Sequence, residues 1–224
     1  MKKTKADPSA VPKKGINKAV IVAFMLTKIA NIANFAAMKK IVFINACIRK
    51  GDSRTLRIAE PVVAALASRF EIVRYDLADM PGVLPLTDYG PRSRGENPAW
   101  AVAAAKAIAE AERIVIAAPF WDMSFPAVLK AFFEQTSLFN ITFTDNGSTC
   151  VGLCKAPKVL YITTRGMDIP TGSAREQATP YLKALGSLWN WGELTTVAAW
   201  NMDYSTPAEI EEKLAACTAE AKAW

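Results

Sequence analysis

Apolar positions in this chain follow two alternating rhythms from Lys40 onward. IVFIN (41–45) is a continuous apolar run, and RIVIAAP (113–119) and KVLYITT (158–164) carry apolar cores of the same kind. A strand buried on both faces requires such a run. EIVRYDL (71–77) alternates instead and reads as a strand nearer a sheet edge, and ELTTVAAW (193–200) reads as the last strand. Between these runs the period lengthens. Residues 53–70 place Leu56, Ala59, Val63, Leu66 and Ala67 on one helical face. Further helices are expected over 100–112, 124–139, 174–189 and 207–222, and a Pro/Gly-rich loop over 78–98. The segment ITFTDNGSTCVGLC (141–154) breaks the rhythm and predicts a β-hairpin turning at Asp145-Asn146-Gly147.

Five strands alternating with helices predict an α/β domain, a parallel sheet covered on both faces. Right-handed crossovers make it doubly wound. The expected strand order is 2-1-3-4-5. Its switch point lies between the first and third strands, and ligands bind beyond the carboxyl ends of strands at such a point.

Composition changes this picture in three places. The formal charge of +6 belongs to residues 1–37, with seven Lys and one Asp, while residues 38–224 carry 20 basic and 20 acidic side chains. No nucleic-acid face is therefore expected on the body. The chain has no histidine, which removes the commonest metal ligand and general base. Cys47, Cys150, Cys154 and Cys217 lack zinc-site spacing, so no metal is expected, and they read as reduced thiols of a cytoplasmic protein. Residues 1–37 read as a dispensable extension before a domain at 38–224. Their apolar run AVIVAFML is interrupted by Lys28 and is too short for a stable membrane span.

Three loops are expected to converge. ACIRKGDSRT (46–55) brings Ser53, Arg54, Thr55 and the charge of Arg49 to a helix start, a natural anion site. Asp52 or Ser53 acting only as a helix cap explains the same residues. Phe120-Trp121-Asp122-Met123 offers aromatic surface at a buried strand end, and Thr164-Arg165-Gly166-Met167 follows the fourth strand. Neither a Walker A nor a G-x-G-x-x-G pattern is present.

The motifs INACIRKGDSRT, IVIAAPFWDMSFPAVLKAFFE, ITFTDNG and YITTRGM resemble those of the flavodoxin-like, FMN-dependent NAD(P)H oxidoreductases, the quinone reductases and azoreductases. The resemblance covers about residues 38–220. It implies FMN phosphate held by Cys47, Ser53, Arg54 and Thr55. It implies the flavin ring flanked by Phe120, Trp121, Asp122 and Met123 and covered by Thr164, Arg165, Gly166 and Met167. It further implies NADH or NADPH as hydride donor and a quinone or azo compound as acceptor, the two using one site in turn. Trp121 and Phe125 are candidates to line the substrate face, with a core role for Phe125 equally open, and no catalytic side chain is assigned. A flavodoxin-type electron carrier is the alternative, against which the neutral body weighs. Residues 124–139 are apolar around much of their circumference, so a homodimer through that helix is expected.

Overall fold

The computed structural model describes residues 38–224, so the expectation of a dispensable extension at 1–37 lies outside the described residues. Strands β1 (Lys40–Asn45), β2 (Glu71–Asp76), β3 (Arg113–Ala117), β6 (Lys158–Thr164) and β7 (Glu193–Ala199) form one parallel sheet in the order β2-β1-β3-β6-β7. Counting only sheet strands, this is the order 2-1-3-4-5. Strands β4 (Phe143–Asp145) and β5 (Cys150–Gly152) make the antiparallel hairpin.

The helices are α1 (Arg54–Leu66), α2 (Gly90–Ser93), α3 (Ala99–Glu110), α4 (Ala127–Thr136), α5 (Ala178–Trp189) and α6 (Pro207–Ala223). They divide between the sheet's two faces. Ile58, Ala59 and Val62 of α1 pack with Leu214 and Cys217 of α6 against Ile41, Phe43 and Leu160. Ile108 of α3, Leu129 and Phe132 of α4 and Leu182 of α5 cover Val42, Ile44 and Tyr161. Side chains alternate across a strand, so neighbouring residues of β1 and β6 serve opposite cores.

The expected start of the helix over 124–139 changes. Residues 124–126 precede α4 rather than begin it, because Ser124 closes a tight turn with Trp121 and Pro126 caps the helix. The apolar girdle of α4 is spent within the protomer: Leu129, Phe132 and Phe133 are wholly buried. Burial of each such side chain contributes about 1.5–3 kcal/mol. Phe139, beyond the helix, is 57% exposed. The 78–98 segment also contains α2 and follows a single 3-10 turn at Leu77–Asp79.

The hairpin turns at Asn146 and Gly147 as expected, with Asn146 Oδ1 accepting from the Ser148 and Thr149 N–H groups. Gly152 packs against the Trp189–Asn190 backbone where a Cβ would overlap it, and Cys154 N–H donates to Trp189 O at 2.9 Å. The hairpin is thereby docked on the end of α5.

Candidate active site

Asn45, Ala117 and Ile162 are in register across β1, β3 and β6, so the loops after these strands leave the sheet at one edge. The ladder continues into the loops. Ala46 N–H donates to Ala117 O at 2.8 Å, Ala118 N–H to Ile162 O at 3.1 Å, and Phe120 N–H to Thr164 O at 3.1 Å. The first loop residues thus inherit the rigidity of the sheet. Between them opens a cleft of about 250 Å³. Arg49, Ser53 and Arg54 line it from the β1 side, Pro119, Phe120 and Trp121 from β3, Thr164 and Gly166 from β6, and Asp203 from beyond β7.

At the β1 side Ser53 is the N-cap of α1, its Oγ accepting from Leu56 N–H at 3.3 Å. The helix start contributes about half a positive charge, and the Arg49 and Arg54 guanidiniums add to it. Arg54 Nη1 donates to Asp203 Oδ1 at 3.0 Å. Thr55 is fully buried, with Oγ1 2.7 Å from Thr164 Oγ1. That bond ties the first turn of α1 to the last residue of β6. Cys47 is buried with its thiol 3.6 Å from Ala117 O, and burial pushes its pKa up to about 11. It lines a separate hollow with Lys50, Arg74 and Asp76. Of the expected phosphate residues, Ser53 and Arg54 line the cleft and Cys47 and Thr55 do not.

On the β3 side Trp121 and Ser124 exchange backbone hydrogen bonds of 3.1 and 2.8 Å. The two residues between them, Asp122 (φ +47°) and Met123 (φ +67°), are both left-handed. This is the geometry of a type I′ turn, which favours Asn and Gly. Met123 O accepts from Gln177 N–H at 2.9 Å, pinning the turn to the start of α5. The turn holds Trp121 at the cleft mouth, 39% exposed, above the nearly buried Phe120. Asp122 is exposed, Met123 half-buried, and neither lines the cleft. Phe125 belongs to the core, its ring edge-on to Tyr181 at 5.2 Å and to Phe133 at 6.2 Å. Of the two roles left open for it, the structure supports packing.

Arg165 points inward and is fully buried. It donates to Ile169 O at 2.8 Å and Thr171 Oγ1 at 3.0 Å, and its Nη2 lies 3.9 Å from Glu176 Oε1. Its guanidinium carbon stands 5.5 Å from the Phe120 ring centroid. Arg165 therefore backs the aromatic wall from inside rather than lining the cleft. Met167 is half-buried, with its carbonyl accepting from Asn201 N–H at 2.9 Å. Gly166 does line the cleft, and a Cβ there would overlap the Asp203 carboxylate.

Pro119 and Asp203 stand outside the set expected from sequence, and Arg49 entered it only as loop charge. A signal for Asp203 existed: in a parallel sheet the loop after the last strand opens at the same edge as the others.

The flavodoxin-like fold family Flavodoxin_2 matches residues 39–224. An FMN-dependent NADH:quinone oxidoreductase of Clostridium perfringens is 30% identical over 190 residues, spanning 79% of this chain and 93% of that protein. One from Clostridium beijerinckii is 31% identical over 181 residues, spanning 74% and 88%. Among solved structures, an azoreductase of Bacillus anthracis superposes with a TM-score of 0.68 at 22% identity, covering 83% of this chain and 97% of the other. An FMN-dependent NADH-azoreductase of the same species, solved in complex with FMN, gives 0.67 at 19% identity, covering 82% and 98%. With the sheet order, the hairpin and the match over 39–224 in agreement, the chain belongs to the flavodoxin-like family Flavodoxin_2.

Proposed function

We propose that this chain is an FMN-dependent NADH oxidoreductase that passes two electrons to a quinone or azo acceptor. The observation that carries the reading is the convergence, in one cleft, of a cationic helix start with an aromatic wall. Ser53, Arg49 and Arg54 suit a phosphate. Phe120 and Trp121, on the same cleft, suit a flat ring. The residues present therefore fit FMN in chemistry. The two curated relatives described above, matched along most of their length, are named for that cofactor and for NADH.

FMN supplies the hydride chemistry when bound. The chain's residues bind, orient and shield. Ser53 Oγ–H and the Arg49 and Arg54 guanidiniums would hold the phosphate at the start of α1. Phe120, backed by Arg165, forms a fixed wall. Trp121, standing out at the mouth, offers a stacking face to a nicotinamide and then to the acceptor that replaces it. A chain without histidine lacks an imidazole base, and a mechanism in which the cofactor carries the chemistry needs none. We infer a homodimer as the working form, for which the exposed Phe139, Val151 and Leu153 around the hairpin give apolar contact surface. Among the described residues no helix is long and apolar enough to cross a membrane.

One site used in turn makes the kinetics ping-pong. Initial rates of NADH oxidation at several fixed menadione concentrations should give parallel double-reciprocal lines. Intersecting lines would mean that donor and acceptor are bound together, and no turnover with any quinone or azo dye would remove the reading itself.

A further inference from the structure

Among the described residues, Asp203 is the one acidic side chain on the wall of the cleft. The backbone sets it there firmly. Asn201 N–H donates to Met167 O at 2.9 Å, Met202 N–H to Arg165 O at 3.1 Å and Asp203 N–H to Gly166 O at 3.0 Å. Asn201 turns left-handed at φ +60° to make this possible. The loop after β7 is thus laced to the loop after β6, residue by residue. The carboxylate is delivered across Gly166, where any side chain would displace it. Its Oδ1 reaches Arg54 Nη1 at 3.0 Å, bridging from the β7 side to the start of α1.

A carboxylate on the arginine of an anion site opposes the anion. Two partners hydrogen-bonded to the N–H groups of one guanidinium stand within about 8 Å of each other. A phosphate on Arg54 would then face the Asp203 charge at close range. The pair is solvent-exposed on both sides, and such pairs are weak and readily exchanged. We propose that Asp203 is a built-in competitor for the cofactor phosphate: it holds Arg54 until the phosphate takes Arg54 over, and it thereby limits how tightly a phosphate-bearing flavin is retained. The inference rests on the flavin reading above and adds to it a positioning residue that acts through Arg54.

The test compares the full chain, stripped of flavin, with its Asp203→Asn variant. The amide keeps the size and the backbone bonds and removes only the charge, at an exposed side chain. Binding is followed by quenching of flavin fluorescence, with FMN and with riboflavin, which lacks the phosphate. Removing the carboxylate should tighten FMN about tenfold, the scale of a partly screened like-charge contact at this range. Riboflavin binding should stay unchanged or undetectable. FMN affinity that is unchanged or weaker in Asp203→Asn would overturn the inference, since Asp203 would then steady Arg54 instead of competing for it. Equal tightening of both flavins would overturn it too, as an effect unrelated to phosphate. A parent that binds no FMN would overturn the flavin reading and this inference with it.

Discussion

The hydroxyls of Thr55 and Thr164 lie 2.7 Å apart, both out of solvent, and join the first turn of α1 to the end of β6. This bond fixes the distance between the cationic helix start and the loop that carries Gly166. Thr55→Val keeps the shape but leaves the Thr164 hydroxyl buried without that partner. The cost should be about 1–3 kcal/mol, lowering Tm by about 2–4 °C per kcal/mol for a domain of this size. FMN retention should fall with it. In Thr55→Val/Thr164→Val the loss should be smaller than the sum of the single losses, as expected of directly coupled residues. Additive losses would show that the two hydroxyls act independently.

Among the described residues, Arg165 and Glu176 form a fully buried ion pair. Arg165→Met removes the cation and leaves the fully buried Glu176 carboxyl without its partner. Loss of one partner of a buried pair typically costs about 3–5 kcal/mol. Arg165→Met/Glu176→Gln should recover part of that loss in denaturant titrations, because no uncompensated charge remains. A double variant less stable than Arg165→Met would contradict this account of the pair.

How far the residues announce this arrangement differs from element to element. β6 is legible to the residue, since the apolar Val159–Ile162 core of KVLYITT is bounded by Pro157 and Arg165. The start of α1 is legible because Ser53 both breaks the strand pattern and caps the helix. The start of α4 misleads: Ser124 looks like a cap, yet it closes the turn with Trp121, and Pro126 sets the helix start. Arg165 misleads more deeply. A charged residue after a strand reads as exposed, and its burial depends on Glu176, eleven positions on and visible only once the loop folds back. For Asp203 the strand order announces the loop but not the residue, whose place is set by backbone bonds between two loops far apart in sequence.

Met123 sits left-handed in the second central position of the Trp121 turn. That conformation costs an L-residue about 1–2 kcal/mol, which glycine avoids. Met123→Gly should therefore raise stability by roughly 0.5–1 kcal/mol after the larger unfolded-state entropy of glycine is counted. A fall in Tm would mean that the half-buried Met123 side chain contributes more through packing than the turn loses through strain.

Burial raises the thiol pKa values of Cys47 and Cys217 to about 11 and of Cys154 to about 12, from an ordinary 9.0. The native state therefore keeps these protons while the unfolded state releases them from about pH 9 upward. The stability tied to these protons is complete below pH 9 and is lost as pH climbs through 9 to 11 or 12. Tm should fall over that window. At pH 7–8 iodoacetamide should modify the exposed Cys150 alone. Rapid alkylation of Cys47 in the folded protein would show that its loop opens.

The central claim, that the cleft between Ser53, Arg54, Phe120 and Trp121 holds FMN and uses it, is tested most directly by one anaerobic spectrum. Full-length protein is incubated with FMN, freed of excess by gel filtration, and mixed with NADH. The account predicts that flavin absorption co-elutes with the protein, bleaches on addition of NADH, and returns when menadione is added. Flavin that separates from the protein on the column, or bound flavin that NADH fails to bleach, would contradict it.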